Sequence, residues 1–298
     1  MTNYSKFIKR SRVEQFAFHK QNNSNEMLFV KRDDLIHDEI SGNKFRKLKY
    51  NIETARIQGC DTIKSFGGAF SNHLLALASL GKIEGINTIG VVRGDELNEQ
   101  SNKLLERCVD LGMRLEFVSR SQFKVAKSLN GVVDDPSIFC VPEGGANREG
   151  VLGCEDIINE TTNDYDYIVV AQGTCATSLG IYSAMSCKSR LLVVPVLKGF
   201  DAIGEMQILA RKAGVSFDRN RVDVLDQYHF GGYAKTTTEL DLFIASFNSQ
   251  SQFIVEPTYT GKTLYALNEF LAKQKGTKKV LFVHTGGLYH FKNGNTAI

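Results

Sequence analysis

Apolar and polar positions alternate along this chain in two registers. From about residue 60 onward, short apolar runs are followed by stretches whose apolar residues recur every three or four positions. The runs predict strands at 61–66, 87–93, 114–118, 137–141, 166–171, 190–197, 222–226 and 279–284. Several are apolar at consecutive positions, as strands covered on both faces are. Between them, 98–111 places Leu104, Leu105, Cys108 and Leu111 on one helical side, and 262–275 does the same with Leu264, Leu267, Phe270 and Leu271. Strands returning in parallel through right-handed helical crossovers give an α/β fold with helices on both faces of the sheet. A further helix is expected over 41–59, with Ser41 or Asn43 as its cap and Phe45, Leu48, Ile52 and Ala55 on one face.

Composition narrows the class. The chain has 298 residues, 42% apolar and 23% charged, which is an ordinary globular balance for one large domain or two intimate ones. Its 36 basic and 33 acidic residues are interspersed, without the sustained basic face that binding a phosphate backbone requires, so nucleic acid is not an expected partner. No apolar run approaches bilayer length and the basic N-terminal stretch lacks an apolar signal core, so a cytoplasmic protein without a membrane partner is expected. The six cysteines, at 60, 108, 140, 154, 175 and 187, form no CxxC pair and are expected to be reduced. His284 and His290 lack metal-ligand spacing and are assigned strand-end or core roles.

Glycine-rich junctions follow four of the expected strands: GGAFSNH (67–73), PEGGANREG (142–150), QGTCATSLG (172–180) and TGG (285–287). Ligands of open parallel sheets lie beyond the carboxyl ends of strands, where glycine admits a close backbone approach and helix N-termini favour anions. Several such junctions together favour a phosphorylated ligand. Gly173, Thr174, Cys175, Ala176 and Thr177 make the strongest phosphate cradle, because small residues expose amides and the threonines add hydroxyls. Nucleotide motifs fail: no GxGxxG follows a strand, and EPTYTGKT has Glu256 where a P-loop needs glycine.

Lys44 falls in the first turn of the 41–59 helix, where the dipole disfavours its protonated form and so helps a nucleophilic amine, but spacing alone does not separate this role from that of a surface lysine. Arg46, Lys47 and Lys49 have solvent-facing or anion-contacting alternatives. Cys175 has no histidine nearby in sequence to activate it, and reads as a small residue lining the cradle.

KRDDLIHDEISGNKFRKL (31–48), GGAFSNH (67–73) and PTYTGKTL (257–264) resemble, in the same order, the family of 1-aminocyclopropane-1-carboxylate deaminase and D-cysteine desulfhydrase. The resemblance implies a fold-type II pyridoxal-phosphate enzyme with two three-layer domains. The large domain would comprise 1–50 and 151–298, with a small domain, 51–150, inserted in it. It also implies that Lys44 holds pyridoxal 5'-phosphate as a Schiff base and that 173–177 binds its phosphate. Asn72 would meet its phenolic oxygen, Tyr233 its ring, and Thr260 its pyridine nitrogen. Ser71 would meet the substrate carboxylate or assist proton transfer, and Tyr259 would face the substrate opposite the lysine. Asn72, His73 and Tyr233 complete the expected substrate contacts, and a homodimer is the family habit.

The deaminases of that family carry glutamate where this chain has Thr260, and read SNQ where this chain and the desulfhydrases read SNH. A hydroxyl at the ring nitrogen supports a weaker electron sink than a carboxylate. The expected reaction is therefore β-elimination from a small amino acid, D-cysteine as the type, to pyruvate, ammonia and sulfide. Ring opening of 1-aminocyclopropane-1-carboxylate is the alternative, and a cofactor-binding protein without turnover the alternative of another class. The 172–180 loop and Ala234-Lys235 depart from both groups, which leaves the substrate the least constrained expectation.

Overall fold

The computed structural model describes residues 4–8, 10–18, 27–40, 42–128 and 135–292. Ten strands run in chain order: β1 (Val13–Phe16), β2 (Met27–Arg32), β3 (Thr62–Gly67), β4 (Asn87–Arg93), β5 (Met113–Val118), β6 (Ile138–Cys140), β7 (Tyr167–Gln172), β8 (Arg190–Pro195), β9 (Val222–Val224) and β10 (Lys279–His284). The helices are α1 (Ser5–Ile8), α2 (Asn43–Ile57), α3 (Asn72–Glu84), α4 (Lys103–Asp110), α5 (Arg120–Ser128), α6 (Arg148–Asn159), α7 (Ala176–Ala184), α8 (Ala202–Ala213), α9 (Thr238–Gln250), α10 (Thr260–Leu271) and α11 (Tyr289–Lys292).

Two sheets result. A six-stranded sheet has the order β1-β2-β10-β7-β8-β9, parallel except for β1, and a four-stranded parallel sheet has the order β5-β4-β3-β6. Each is covered on both faces. On the large sheet, Leu179, Met206 and Cys154 of α7, α8 and α6 pack with Leu191, Val193 and Leu281. Its other face packs Ile244, Leu264 and Leu267 of α9 and α10 against Val169, Leu192 and Phe282. On the small sheet, α2, α3 and α4 share one cluster with Ile63 and Val92, while Phe123 of α5 meets Phe66 and Val91 behind it. The eight expected strands are all present within a residue or two.

β1 and β2 had no sequence signal, because β2 ends in charge. Lys31 and Arg32 are buried, as are Asp33 and Arg46. The Arg46 guanidinium donates to both Asp33 oxygens at 2.6 and 2.8 Å and to Glu160, which also receives Lys31 at 2.8 Å. Burial works against the Asp33 charge, but Arg46 more than offsets it and holds the carboxyl below its usual range. This cluster ties α2 to β2 and to the end of α6. Arg46 thus contacts anions without facing solvent.

The start of α2 also differs from expectation. Asn43 is its first residue and Gly42 its N-cap, with no side-chain cap, while Ser41 lies outside the described residues. Gly42 has φ 50°, and a Cβ there would overlap the Thr285 carbonyl oxygen, so only glycine lets α2 sit on the loop after β10. The helix expected over 98–111 begins at Lys103, because Asn102 accepts hydrogen bonds from the amides of Leu104 and Leu105 at 2.9 and 3.0 Å.

Candidate active site

The carboxyl ends of β3, β6, β7 and β10 converge on the N-terminus of α2. Asn43 reaches across to α7, its Nδ2 donating to Thr177 Oγ1 at 2.9 Å, while its Oδ1 accepts from Lys44 Nζ at 3.1 Å. Lys44 is enclosed by protein, with part of its surface still open to solvent. Burial, then the neighbouring Lys47 charge, bring its pKa down from 10.5 to about 7.

Lys47 is buried, contrary to the solvent-facing expectation. Its Nζ donates to the Gly144 carbonyl at 3.0 Å, and burial lowers its pKa. Thr174 Oγ1 donates to the same carbonyl at 3.4 Å. Gly144 and Gly145 both have positive φ, which turns the chain after β6 tightly enough to present that oxygen. Lys47 thus stands beside the 173–177 loop, close enough to lower the Cys175 thiol slightly. Burial nonetheless pushes Cys175 up to about 12, and Gln172 Nε2 donates to its sulfur at 2.9 Å, so it is an inert lining residue. Cys175 takes the left-handed N-cap position of α7 at φ 61° and gives no side-chain cap, and the Ala176 amide turns back to the Thr174 carbonyl at 2.8 Å. Gly173 lies against the Tyr259 ring.

Ser71 caps α3, accepting from the Leu74 amide at 3.3 Å, and a side chain at Gly67 would collide with it. Asn72 follows, its Nδ2 close to Gly287 in the loop after β10. Its Oδ1 is buried and has no protein partner. His73 lies beneath, 3% exposed. Ser65 Oγ donates to the Val141 carbonyl at 2.9 Å, so it accepts from His73 Nε2 at 2.9 Å, assigning the proton to that nitrogen. Burial, with the charges of Lys44 and Lys47, holds the imidazole well below its usual pKa and so neutral. His284, the last residue of β10, is likewise buried, with Nε2 on the Ile254 carbonyl at 2.7 Å and Nδ1 accepting from the Gly286 amide at 3.2 Å. The His290 side chain lies outside the described residues.

Tyr259 and Tyr233 meet edge to face at 6.0 Å between ring centroids. Burial raises both phenols, Tyr259 well above its usual range. Thr260 opens α10 with its hydroxyl spent on Glu256: it accepts from the Glu256 amide at 3.0 Å and donates to Glu256 Oε1 at 3.1 Å. The Glu256 carboxylate also accepts from the amides of Thr258, Tyr259 and Thr260 at 2.6, 2.9 and 2.7 Å.

Sequence reasoning therefore missed Asn43, Lys47 and Glu256. Glu256 had been read only as the residue that breaks a P-loop.

This set fits a phosphorylated aldehyde. It offers an amine of lowered pKa, an uncapped helix N-terminus with a buried ammonium beside it, and an orphaned amide oxygen on Asn72. Among the described residues, no group of three or more His, Cys, Asp or Glu side chains could hold a metal ion, and no helix is long and apolar enough to cross a membrane.

Comparisons with known proteins agree. The family model described as pyridoxal-phosphate dependent enzyme matches residues 6–286. A putative 1-aminocyclopropane-1-carboxylate deaminase of Pyrococcus furiosus is 31% identical, over 88% of this chain and 84% of that protein. The D-cysteine desulfhydrase of Yersinia pestis is 26% identical, over 87% and 86%. The crystal structure of an ACC deaminase homologue superposes with a TM-score of 0.81 and 26% identity, over 95% of this chain and 92% of that one. The chain belongs to the pyridoxal-phosphate dependent enzymes, in the group that holds the 1-aminocyclopropane-1-carboxylate deaminases and D-cysteine desulfhydrases.

Proposed function

We propose that this protein eliminates the β-substituent of a small D-amino acid, with D-cysteine as the type substrate. In that reaction the Cα–H and Cβ–S bonds break, one water is consumed, and pyruvate, ammonia and hydrogen sulfide leave. The observation that carries the reading is Lys44, an enclosed amine held by Asn43 beside the 173–177 loop, with a pKa brought down to about 7. When bound, the cofactor supplies an aldehyde that captures amines and a conjugated ring that draws electrons from Cα.

The chain's own residues then divide the work. Lys44 would hold the aldehyde, and its lowered pKa suits it to take the Cα proton; a group on the opposite face, where Tyr259 would stand, is the alternative base. The 173–177 loop, the first turn of α7 and Lys47 hold the phosphate. Asn72 would meet the ring oxygen through its side-chain N–H, Tyr233 would lie on the ring, and Thr260 would stand at the ring nitrogen. Ser71 receives the substrate carboxylate. His73, tied down by Ser65, supports this wall from beneath.

Thr260 favours elimination over ring opening. Its hydroxyl hydrogen is committed to Glu256, and the Glu256 carboxylate is itself committed to three backbone amides, so no free carboxylate stands at the ring position. A relative from Arabidopsis thaliana, 28% identical over 88% of this chain and 72% of that protein, is named a bifunctional D-cysteine desulfhydrase/1-aminocyclopropane-1-carboxylate deaminase, which keeps ring opening as the second reading.

A visible spectrum before and after adding D-cysteine, with assays for pyruvate and 2-oxobutyrate, tests the reading. Faster 2-oxobutyrate from the cyclopropane substrate overturns it in favour of the deaminase. An unchanged spectrum with every amino acid favours a binding protein without turnover.

Two domains, 1–50 with 151–298 and 51–150, belong to the same proposal, supported by a small sheet drawn wholly from β3 to β6. The apolar face of α2 nevertheless packs into the small sheet's core, so that helix serves both. A cytoplasmic homodimer completes it, tested by light scattering and by fractionation.

A further inference from the structure

One flank of α10 carries Tyr259, Lys262 and Tyr265 up against the segment that follows β9. Tyr228 and Phe230 lean on the Tyr265 ring at 6.0 and 5.2 Å between centroids, and Tyr233 meets Tyr259 at 6.0 Å. Between these two aromatic contacts runs the side chain of Lys262, with none of its surface exposed. Its Nζ donates to the His229 carbonyl at 2.9 Å and to the Gly232 carbonyl at 2.7 Å.

The backbone it holds is conformationally unfavourable. Phe230, Gly231, Gly232 and Ala234 have φ of 50°, 91°, 122° and 54°, and two of the four carry a Cβ. Such a run persists only where its surroundings over-determine it. Within the run, Gly232 N donates to the His229 carbonyl at 3.0 Å and Lys235 N to the Gly232 carbonyl at 3.2 Å, the same two oxygens that Lys262 reaches, and Gly231 N donates to His229 Nδ1 at 2.9 Å. Tyr233, at the end of the run, is 44% exposed overall, with its phenol enclosed and hydrogen-bonded to Tyr259.

Burial makes this ammonium costly, bringing its pKa down to about 8 against the favourable charge of Glu256. Anchoring α10 to the sheet does not require it, since Leu264 and Leu267 already do so. An apolar residue would serve there unless the two carbonyls need a donor.

We infer that Lys262 is a positioning residue, whose two hydrogen bonds fix the 229–232 backbone so that Tyr233 stays against Tyr259 at the crevice. The inference rests on the proposed reading of Tyr233 and Tyr259 as walls of the substrate site. It gives Lys262 no contact with the reacting atoms.

The test compares wild type, Lys262→Met, Tyr233→Ala and the double variant as full-length holoenzymes, by amide hydrogen exchange and by D-cysteine kinetics. In Lys262→Met, exchange over 229–235 should accelerate roughly tenfold or more while β7, β8 and β10 stay protected. The KM should rise roughly tenfold with a smaller change in kcat, and in the Tyr233→Ala background Lys262→Met should change KM less than about twofold.

Unchanged exchange over 229–235, or effects of the two substitutions that multiply independently, overturns the inference. So does a loss confined to melting temperature. If Lys262→Met does not fold, Lys262→Gln, too short to reach both carbonyls, is read in the same way. A wild-type holoenzyme inert toward D-cysteine overturns the functional reading instead, and the exchange measurement, with pyridoxal-phosphate affinity in place of KM, still decides the role of Lys262.

Discussion

Asn43 and Thr177 join two helix N-termini across the site: the Asn43 amide donates to the Thr177 hydroxyl at 2.9 Å and its oxygen receives Lys44. The proposed phosphate cradle and the Lys44 amine are therefore set relative to each other by one buried side chain. Asn43→Ala should leave Thr177 without its partner and Lys44 without its acceptor. The expected result is weaker cofactor retention, by about tenfold, measured by titrating apoprotein with pyridoxal phosphate; unaltered affinity would show that the bridge is dispensable.

Lys44→Ala should abolish the visible band of the bound cofactor and reduce turnover by roughly a thousandfold or more, while circular dichroism and melting stay near wild type. Retention of the band would mean that another amine carries the aldehyde.

Capture of the aldehyde should follow the lowered pKa of Lys44. The rate of cofactor attachment should rise with pH to a plateau with a midpoint near 7 instead of near 10.5. Linkage gives the stability of the cofactor-free protein a matching sign. Between about 7 and 10.5 the unfolded lysine binds the proton that the folded one does not, so stability rises with pH across that interval and is lost on descending it. Lys47 and Lys262 have lowered values too and add to the slope. Lys44→Met should flatten it in part, as urea titrations at several pH values would show.

Removing one member of the buried ion cluster should be severe. Arg46→Met leaves Asp33 buried without its guanidinium and should cost about 3–5 kcal/mol, whereas the paired change Arg46→Met with Asp33→Asn should cost less than Arg46→Met alone. Equal losses in denaturant titrations would show that packing, not charge, dominates there.

Thr260→Glu should not create a ring-opening enzyme. Thr260 is fully buried and its hydroxyl lies 3.1 Å from Glu256 Oε1, so a second carboxylate there meets a like charge as well as a filled space. Loss of cofactor or solubility is expected; a gain in 2-oxobutyrate production from the cyclopropane substrate would refute this.

Much of the fold was legible because apolar runs such as RLLVVP and KVLFVH are covered on both faces and leave a pattern no loop would carry. β2 was not, since its charged end looks like surface until Glu160 and Glu14, distant in sequence, supply its partners. At the site, local motifs pointed to Lys44, Ser71, Asn72 and the 173–177 loop. What stayed hidden depends on contacts between distant segments: Lys47 against Gly144, Lys262 against His229 and Gly232, and Asn43 against Thr177. A lysine's destination is not encoded in its spacing, because its long stem lets it snorkel outward or turn inward at similar helical positions.

The parallel pairing of β2 with β10 joins residues 27–32 to residues 279–284, and the carbonyl of Thr285 just beyond seats the helix that bears Lys44. During vectorial synthesis on the ribosome the lysine therefore emerges well before its seat is made. A nascent chain that lacks residues 279–285 thus lacks both the strand and the carbonyl that seat this helix.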